Sequence, residues 1–148
     1  MDFSSIGNKL KTTKSAMHLV SPDGLELYMT EEDGKLKLTT EENDRPCRFF
    51  MVSTDSKQYR TRKAQLFNKL QKGKKLKFTE AEADQYETVA SGIVGWENIP
   101  FDLGDGVVDL PYSDENVIVF LKGYPPSFDQ ADRYMADRSN FFSSPASD

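Results

Sequence analysis

Cys47-Arg48-Phe49-Phe50-Met51-Val52-Ser53-Thr54-Asp55-Ser56-Lys57-Gln58-Tyr59-Arg60 is the stretch in which the chain changes its period. Its first half is a short aromatic and apolar run, which suits a strand. In its second half Asp55 or Ser56 can cap a helix N-terminus. Tyr59, Leu66, Phe67 and Leu70 then recur on what would be one helix face. Strands before this point and helices after it predict an α+β fold, not α/β. The expected architecture is a small N-terminal antiparallel β unit followed by a four-helix C-terminal region.

Upstream, Ser21-Pro22-Asp23-Gly24 is a turn signal, with Pro presetting one position and Gly tolerating positive φ. Leu25, Leu27 and Met29 alternate with Glu26, Tyr28 and Thr30, as in a strand with one buried face. Glu31-Glu32-Asp33-Gly34 is a second turn, and Leu36 and Leu38 alternate after it, so the pair reads as a hairpin. Residues 17–54 form the expected β unit. Residues 1–16 carry Lys9, Lys11 and Lys14 among Ser and Thr with no sustained period, which predicts a flexible arm.

Downstream lies the expected helical region, residues 55–142. Gly73 ends the first helix, and Thr79 with Glu82 is a capping box that opens the second. Ala83, Tyr86, Val89, Ala90 and Ile93 form its apolar stripe, with Gly92 and Gly95 flanking its end. Residues 97–112 read as a loop. Ser113 caps a third helix, Asp114 and Glu115 favour its positive end, and Val117, Phe120 and Leu121 face inward. Gly123, Pro125 and Pro126 stop it. Ser127 with Gln130 reads as a further capping box. Phe128, Ala131, Tyr134, Met135, Arg138 and Phe142 lie on one side of the last helix. Residues 143–148 read as a disordered tail.

Of the 148 residues, 37% are hydrophobic and 29% charged, polar for a globular domain. Ten Phe, six Tyr and one Trp offset this, since large aromatics bury much area each. Cys47 is the only cysteine, so no internal disulfide is available. No apolar run opens the chain, and no stretch approaches the roughly 18 apolar residues of a membrane helix, so a reducing cytosol and no membrane contact are expected.

Catalytic constellations are scarce. His18 is the only histidine and lies beside Met17 and Leu19, which suits an ordinary strand residue better than a nucleophile's base. One His and one Cys cannot supply about four zinc ligands. In Asp102-Leu103-Gly104-Asp105-Gly106 the third position of a calcium loop would be Gly104, which has no side chain. No third glycine completes a dinucleotide fingerprint. The expectation is a non-enzymatic protein with no metal and no cofactor.

Charge is uneven. Lys57, Arg60, Arg62, Lys63, Lys69, Lys72, Lys74, Lys75 and Lys77 stand against Asp55 alone, a local charge of +8 within a net −5, leaving −13 elsewhere. A solvated helix face ranks first for this segment. Contact with an acidic protein, including another copy, ranks second. Nucleic acid ranks third, because a pI near 5.0 repels polyanions.

From Leu19 to Phe142 a series of short blocks occurs in a recognisable order. Leu19-Val20-Ser21-Pro22-Asp23-Gly24 comes first. Asp55-Ser56 with Tyr59-Arg60, a basic helix, and Val94-Gly95-Trp96-Glu97-Asn98 follow. Leu110-Pro111-Tyr112-Ser113-Asp114-Glu115-Asn116 and Asp137-Arg138-Ser139-Asn140-Phe141-Phe142 complete the series. In this the chain resembles the tail assembly chaperones of long-tailed phages. The resemblance implies binding of the tape measure protein, a long helical apolar chain, before the tail tube polymerises around it. It also implies a place in the host cytoplasm and absence from the mature virion. Tail tube protein and a second copy are further partners it allows. A structural virion protein of the tail or head–tail region is the alternative. At the matching positions partner contact is expected from Tyr59, Arg60, Trp96, Tyr112, Asn116, Arg138, Phe141 and Phe142. Beside this stands a structural reading, with Trp96 as a core anchor and Tyr112 and Asn116 shaping a helix start.

Overall fold

The structure is a computed structural model and describes residues 2–72 and 79–142; the side chains at 69–72 and 80 fall outside that description. The helix end expected at Gly73, the tail at 143–148 and the lysines at 74, 75 and 77 therefore lie outside the described residues, as do the side chains of Lys69, Leu70 and Lys72. Among the described residues the chain forms five α-helices and three small antiparallel sheets.

The central strand is β4 (Arg48–Val52), flanked by β1 (Lys14–His18) and β5 (Ile93–Glu97) in the order β1-β4-β5. Met17 lies opposite Phe49, and Phe49 opposite Trp96, so the three side chains form one row on the core face. Ser15, Met51 and Ile93 form the next row. Ile93 and Trp96 are three apart, and in a regular strand they would face opposite ways. The register shifts between Phe50 and Met51, and this irregularity turns both inward.

Two hairpins stand beside this sheet. One joins β2 (Tyr28–Glu32) to β3 (Lys35–Thr39) through Asp33 and Gly34, both at positive φ (55° and 77°). That geometry belongs to a tight hairpin turn, which Asp-Gly favours. The other joins β6 (Pro100–Asp102) to β7 (Val107–Asp109).

Helix α2 (Lys57–Lys72) packs along α3 (Glu80–Ser91), while α4 (Asp114–Gly123) and α5 (Pro125–Ala136) help to close the core. Ser56, not Asp55, caps α2, its Oγ accepting from Tyr59 N at 3.0 Å. The Thr79–Glu82 capping box forms as expected, and Ser113 caps α4 through Asn116 N at 3.0 Å. Tyr59 and Leu66 face inward on α2, but Phe67, expected on the same face, is exposed. It is one step, about 100°, round the helix from Leu66.

Several expectations are corrected. In place of a flexible arm over residues 1–16, Phe3–Thr12 form helix α1, capped by Asp2, and β1 follows. Ile6 and Leu10, four apart on one face, are its half-buried apolar residues, while Phe3 is exposed. Residues 97–112 are not all loop, since β6 and β7 lie within them. Strands and helices are accordingly less segregated than expected: β5 follows α3 and pairs with β4 of the N-terminal half. Ser127 and Gln130 do not form a capping box, because α5 starts earlier, at Pro125. Proline is well suited to the first helical turn. Ser127 Oγ donates to Tyr124 O instead, and Gln130 bridges Val20 N and His18 O.

Glu87 on α3 is buried. Burial raises its carboxyl above the usual range, opposed by Lys63 and reinforced by Asp84. The native state therefore holds this proton longer than the unfolded chain does. The group's contribution is most favourable below the ordinary glutamate range and is lost as pH rises through the raised value. Glu87→Gln is expected to stabilise the protein at neutral pH and to have little effect in acid. Thermal denaturation at the two pH values checks this, each kcal/mol gained appearing as about 2–4 °C.

Candidate functional site

The site is built by the two hairpins. Asp109 at the end of β7 accepts from Ile99 N at 3.0 Å, and Leu110 N donates to Ile99 O at 2.8 Å. Trp96 Nε1 donates to Leu110 O at 2.8 Å, which ties the base of this hairpin to the core sheet. At its tip Asp102 Oδ1 accepts from Gly104 N and Gly106 N at 2.7 and 3.3 Å. Both glycines are at positive φ, where a side chain would be strained. Strand β3 of the other hairpin lies against β6 and β7.

Side-chain direction now decides what this end of the molecule presents. Leu38 lies opposite Met29, a core residue, and so is on the core-side face of its hairpin. Yet Leu38 is 51% exposed. Val108 lies opposite Phe101, whose ring meets the edge of Phe120 at 5.6 Å, and Val108 is 44% exposed. Val107 and Leu103 on the same hairpin are 44% and 58% exposed. The inward-directed faces of both hairpins thus run past the part of the core that covers them. Between them opens a cavity of about 160 Å³ lined by Leu19, Leu27, Leu38, Ile99, Phe101 and Tyr124, among others. Cys47 also borders it. Gly123 lets the Phe101 ring in close, since a Cβ there would stand 2.5 Å from its Cζ.

The side chains that line this surface are mainly apolar. Burial, then the negative charges of Asp109 and Glu97, push the Cys47 thiol up to about 12. It stays protonated at physiological pH and is a poor nucleophile. His18 Nε2 donates to Leu27 O at 2.7 Å, and its Nδ1 faces Glu26 Oε2 at 3.2 Å. It braces the strand after Pro22. Among the described residues no group of three or more His, Cys, Asp and Glu could hold a metal ion. No helix among them is long and apolar enough to cross a membrane.

The residues expected to touch a partner are not brought together. Tyr59, Trp96 and Phe141 lie inside the core. The Trp96 ring stacks on Phe49 at 5.7 Å and takes the edges of Tyr112 and Phe120 at 5.6 and 5.7 Å. Tyr112 Oη donates to Ile93 O at 2.8 Å, and Asn116 Nδ2 donates to Pro111 O at 2.9 Å. Both brace the start of α4. Phe142 is half-buried beneath Lys9 Nζ, 5.1 Å from the ring centre. Arg60 and Arg138 are exposed, and Arg138 forks onto Asp55 at 2.8 and 3.2 Å. Within the basic segment Arg62 is internal, and Lys63 Nζ sits 5.9 Å over the Tyr59 ring.

Sequence reasoning missed the second hairpin. The signal for it was present: short apolar runs, Pro100-Phe101 and Val107-Val108, flank a Gly- and Asp-rich turn. Compared with family models, curated proteins and solved structures, the chain matches none of them.

Proposed function

We propose that this chain is a non-catalytic binding protein, a tail assembly chaperone that holds an apolar segment of the tape measure protein. Two things support the reading. The ordered blocks between Leu19 and Phe142 resemble that family. The observation that carries it is the apolar surface of the hairpins, where Leu38 and Val108 point to the core side and are still half exposed. A core-side face without cover is what a binding protein keeps for its partner, because apolar area removed from water drives association. A long helical partner has a complementary need, since its own apolar stripe must be covered before assembly. On this reading the chain works in the host cytoplasm and leaves before the virion is complete.

Co-expression tests the proposal. The tape measure protein is expected to move from the insoluble to the soluble fraction when this chain is present. An unchanged distribution would overturn the reading. So would stoichiometric amounts of the chain in purified virions, which is what a structural tail component would show.

A further inference from the structure

The hairpin surface has a chemical selectivity, and this inference rests on the binding role proposed above. We propose that the cavity between the hairpins takes one bulky apolar side chain from a partner helix whose neighbouring residues are lysine and arginine.

Size argues for a single anchor. The cavity holds about 160 Å³, close to the roughly 150 Å³ of an engineered apolar cavity that accepts benzene. That is room for one Leu, Met or Phe side chain and for no larger ligand. Leu38 lines the cavity and is half exposed, so an entering side chain would meet it. Val108, opposite Phe101 in the hairpin register, adds exposed apolar surface on that side.

Charge argues for a basic helix. Residues 97–109 contain Glu97, Asp102, Asp105 and Asp109 and no Lys or Arg. The other hairpin and its flanks, residues 26–45, hold Glu26, Glu31, Glu32, Asp33, Glu41, Glu42 and Asp44 against Lys35, Lys37 and Arg45, an excess of acid. Three basic side chains at this end are engaged. Lys37 pairs with Glu32 at 2.9 Å, Arg48 with Glu97 at 2.5 Å, and Lys122 lies over the Tyr86 ring. The groups around the cavity register the same field. After burial, the charges that raise Cys47 are Asp109 and Glu97, and the one that raises Tyr124 is Asp23. An apolar cavity between two hairpins that carry more acid than base favours an apolar anchor with cationic neighbours and disfavours an acidic one.

The probe is a labelled synthetic peptide of about 18 residues, five helical turns, made of Leu at helical spacing and Lys elsewhere. A second peptide carries Glu in place of Lys. Fluorescence anisotropy is expected to show the Lys peptide binding at least about tenfold more tightly than the Glu peptide, with the difference shrinking as salt rises. Leu38→Ser with Val108→Ser should weaken the Lys peptide about tenfold while the far-ultraviolet circular dichroism is unchanged. Should that variant misfold, methyl NMR of the unaltered protein decides, with shifts expected at Leu19, Leu38 and Val108. Equal binding of the two peptides, full binding by the double variant, or methyl shifts elsewhere would overturn the proposal. Self-association abolished by Phe67→Glu on the basic helix α2 would make a second copy the occupant and overturn it as well. The two readings fail separately. A tape measure protein kept soluble equally by the double variant sinks this site and leaves the chaperone role standing. Peptide selectivity without solubilisation does the reverse.

Discussion

Replacing Trp96 with alanine is expected to destabilise the protein by about 3–5 kcal/mol, the range for losing a buried aromatic from a core. The ring is stacked on Phe49 and edged by Tyr112 and Phe120, so its removal leaves a cavity bounded by three rings that cannot all collapse inward. Its Nε1–H also leaves Leu110 O without a donor, and Leu110 is the residue from which the β6–β7 hairpin is hung. Trp96→Phe separates the two effects. It refills most of the space but not the hydrogen bond, and an intermediate loss of about 1–3 kcal/mol is expected. Urea denaturation followed by far-ultraviolet circular dichroism measures both, since Trp96 is the sole tryptophan and its fluorescence goes with it. The experiment also decides between the two roles open to this residue. A variant of undiminished stability that has lost its partner would restore Trp96 as a contact residue. A large stability loss places it with the fold.

Arg62→Met is expected to cost about 3 kcal/mol, far more than a surface charge would. The guanidinium is 15% exposed and divides its donors among Asp114 Oδ1 at 3.1 Å, Ala90 O at 3.1 Å and Ser91 O at 3.4 Å. It thereby ties α2 to the last carbonyls of α3 and to the first turn of α4. Helix C-termini expose such carbonyls, and a cation there also meets the favourable end of the dipole. Methionine keeps the volume and the apolar stem but satisfies none of these acceptors. Asp114 is 31% exposed at its side chain, so water recovers part of the loss, and the low end of the range for a broken buried pair is expected. Arg62→Lys should rescue little, because a single ammonium cannot reach three acceptors in a plane. Chemical denaturation gives the size of the effect. Retained stability together with weakened, salt-dependent DNA binding would instead favour the nucleic-acid reading of the basic segment.

Local features of this protein were legible in its sequence. The Thr79–Glu82 capping box, the Ser113 cap with Asp114 and Glu115 behind it, and the Asp33-Gly34 turn each depend on residues within four positions of one another. Short-range chemistry of that kind is settled before the chain folds. The β2–β3 hairpin was readable for the same reason, from alternation on both sides of its turn. Strand β5 was not. Val94-Gly95-Trp96 follows a helix and borders a polar run, so period alone points to a helix end. Its strand character comes from β4, more than forty positions earlier, whose free edge supplies the hydrogen bonds. Arg62 was hidden in another way. Among so many lysines and arginines its composition suits a solvated face, and only the approach of α3 and α4 takes it out of water.

The same division holds for the candidate site. The sequence by itself determined that Leu38 alternates in a hairpin, that acids crowd residues 97–109, and that His18 and Cys47 are the only residues of their kinds. Only the tertiary structure decided that Leu38 and Val108 both face the core side and both run out past its cover. Hydrophobicity is a property of a residue, but exposure is a property of everything packed around it. Two hairpins some sixty positions apart had to meet before either could show an uncovered face.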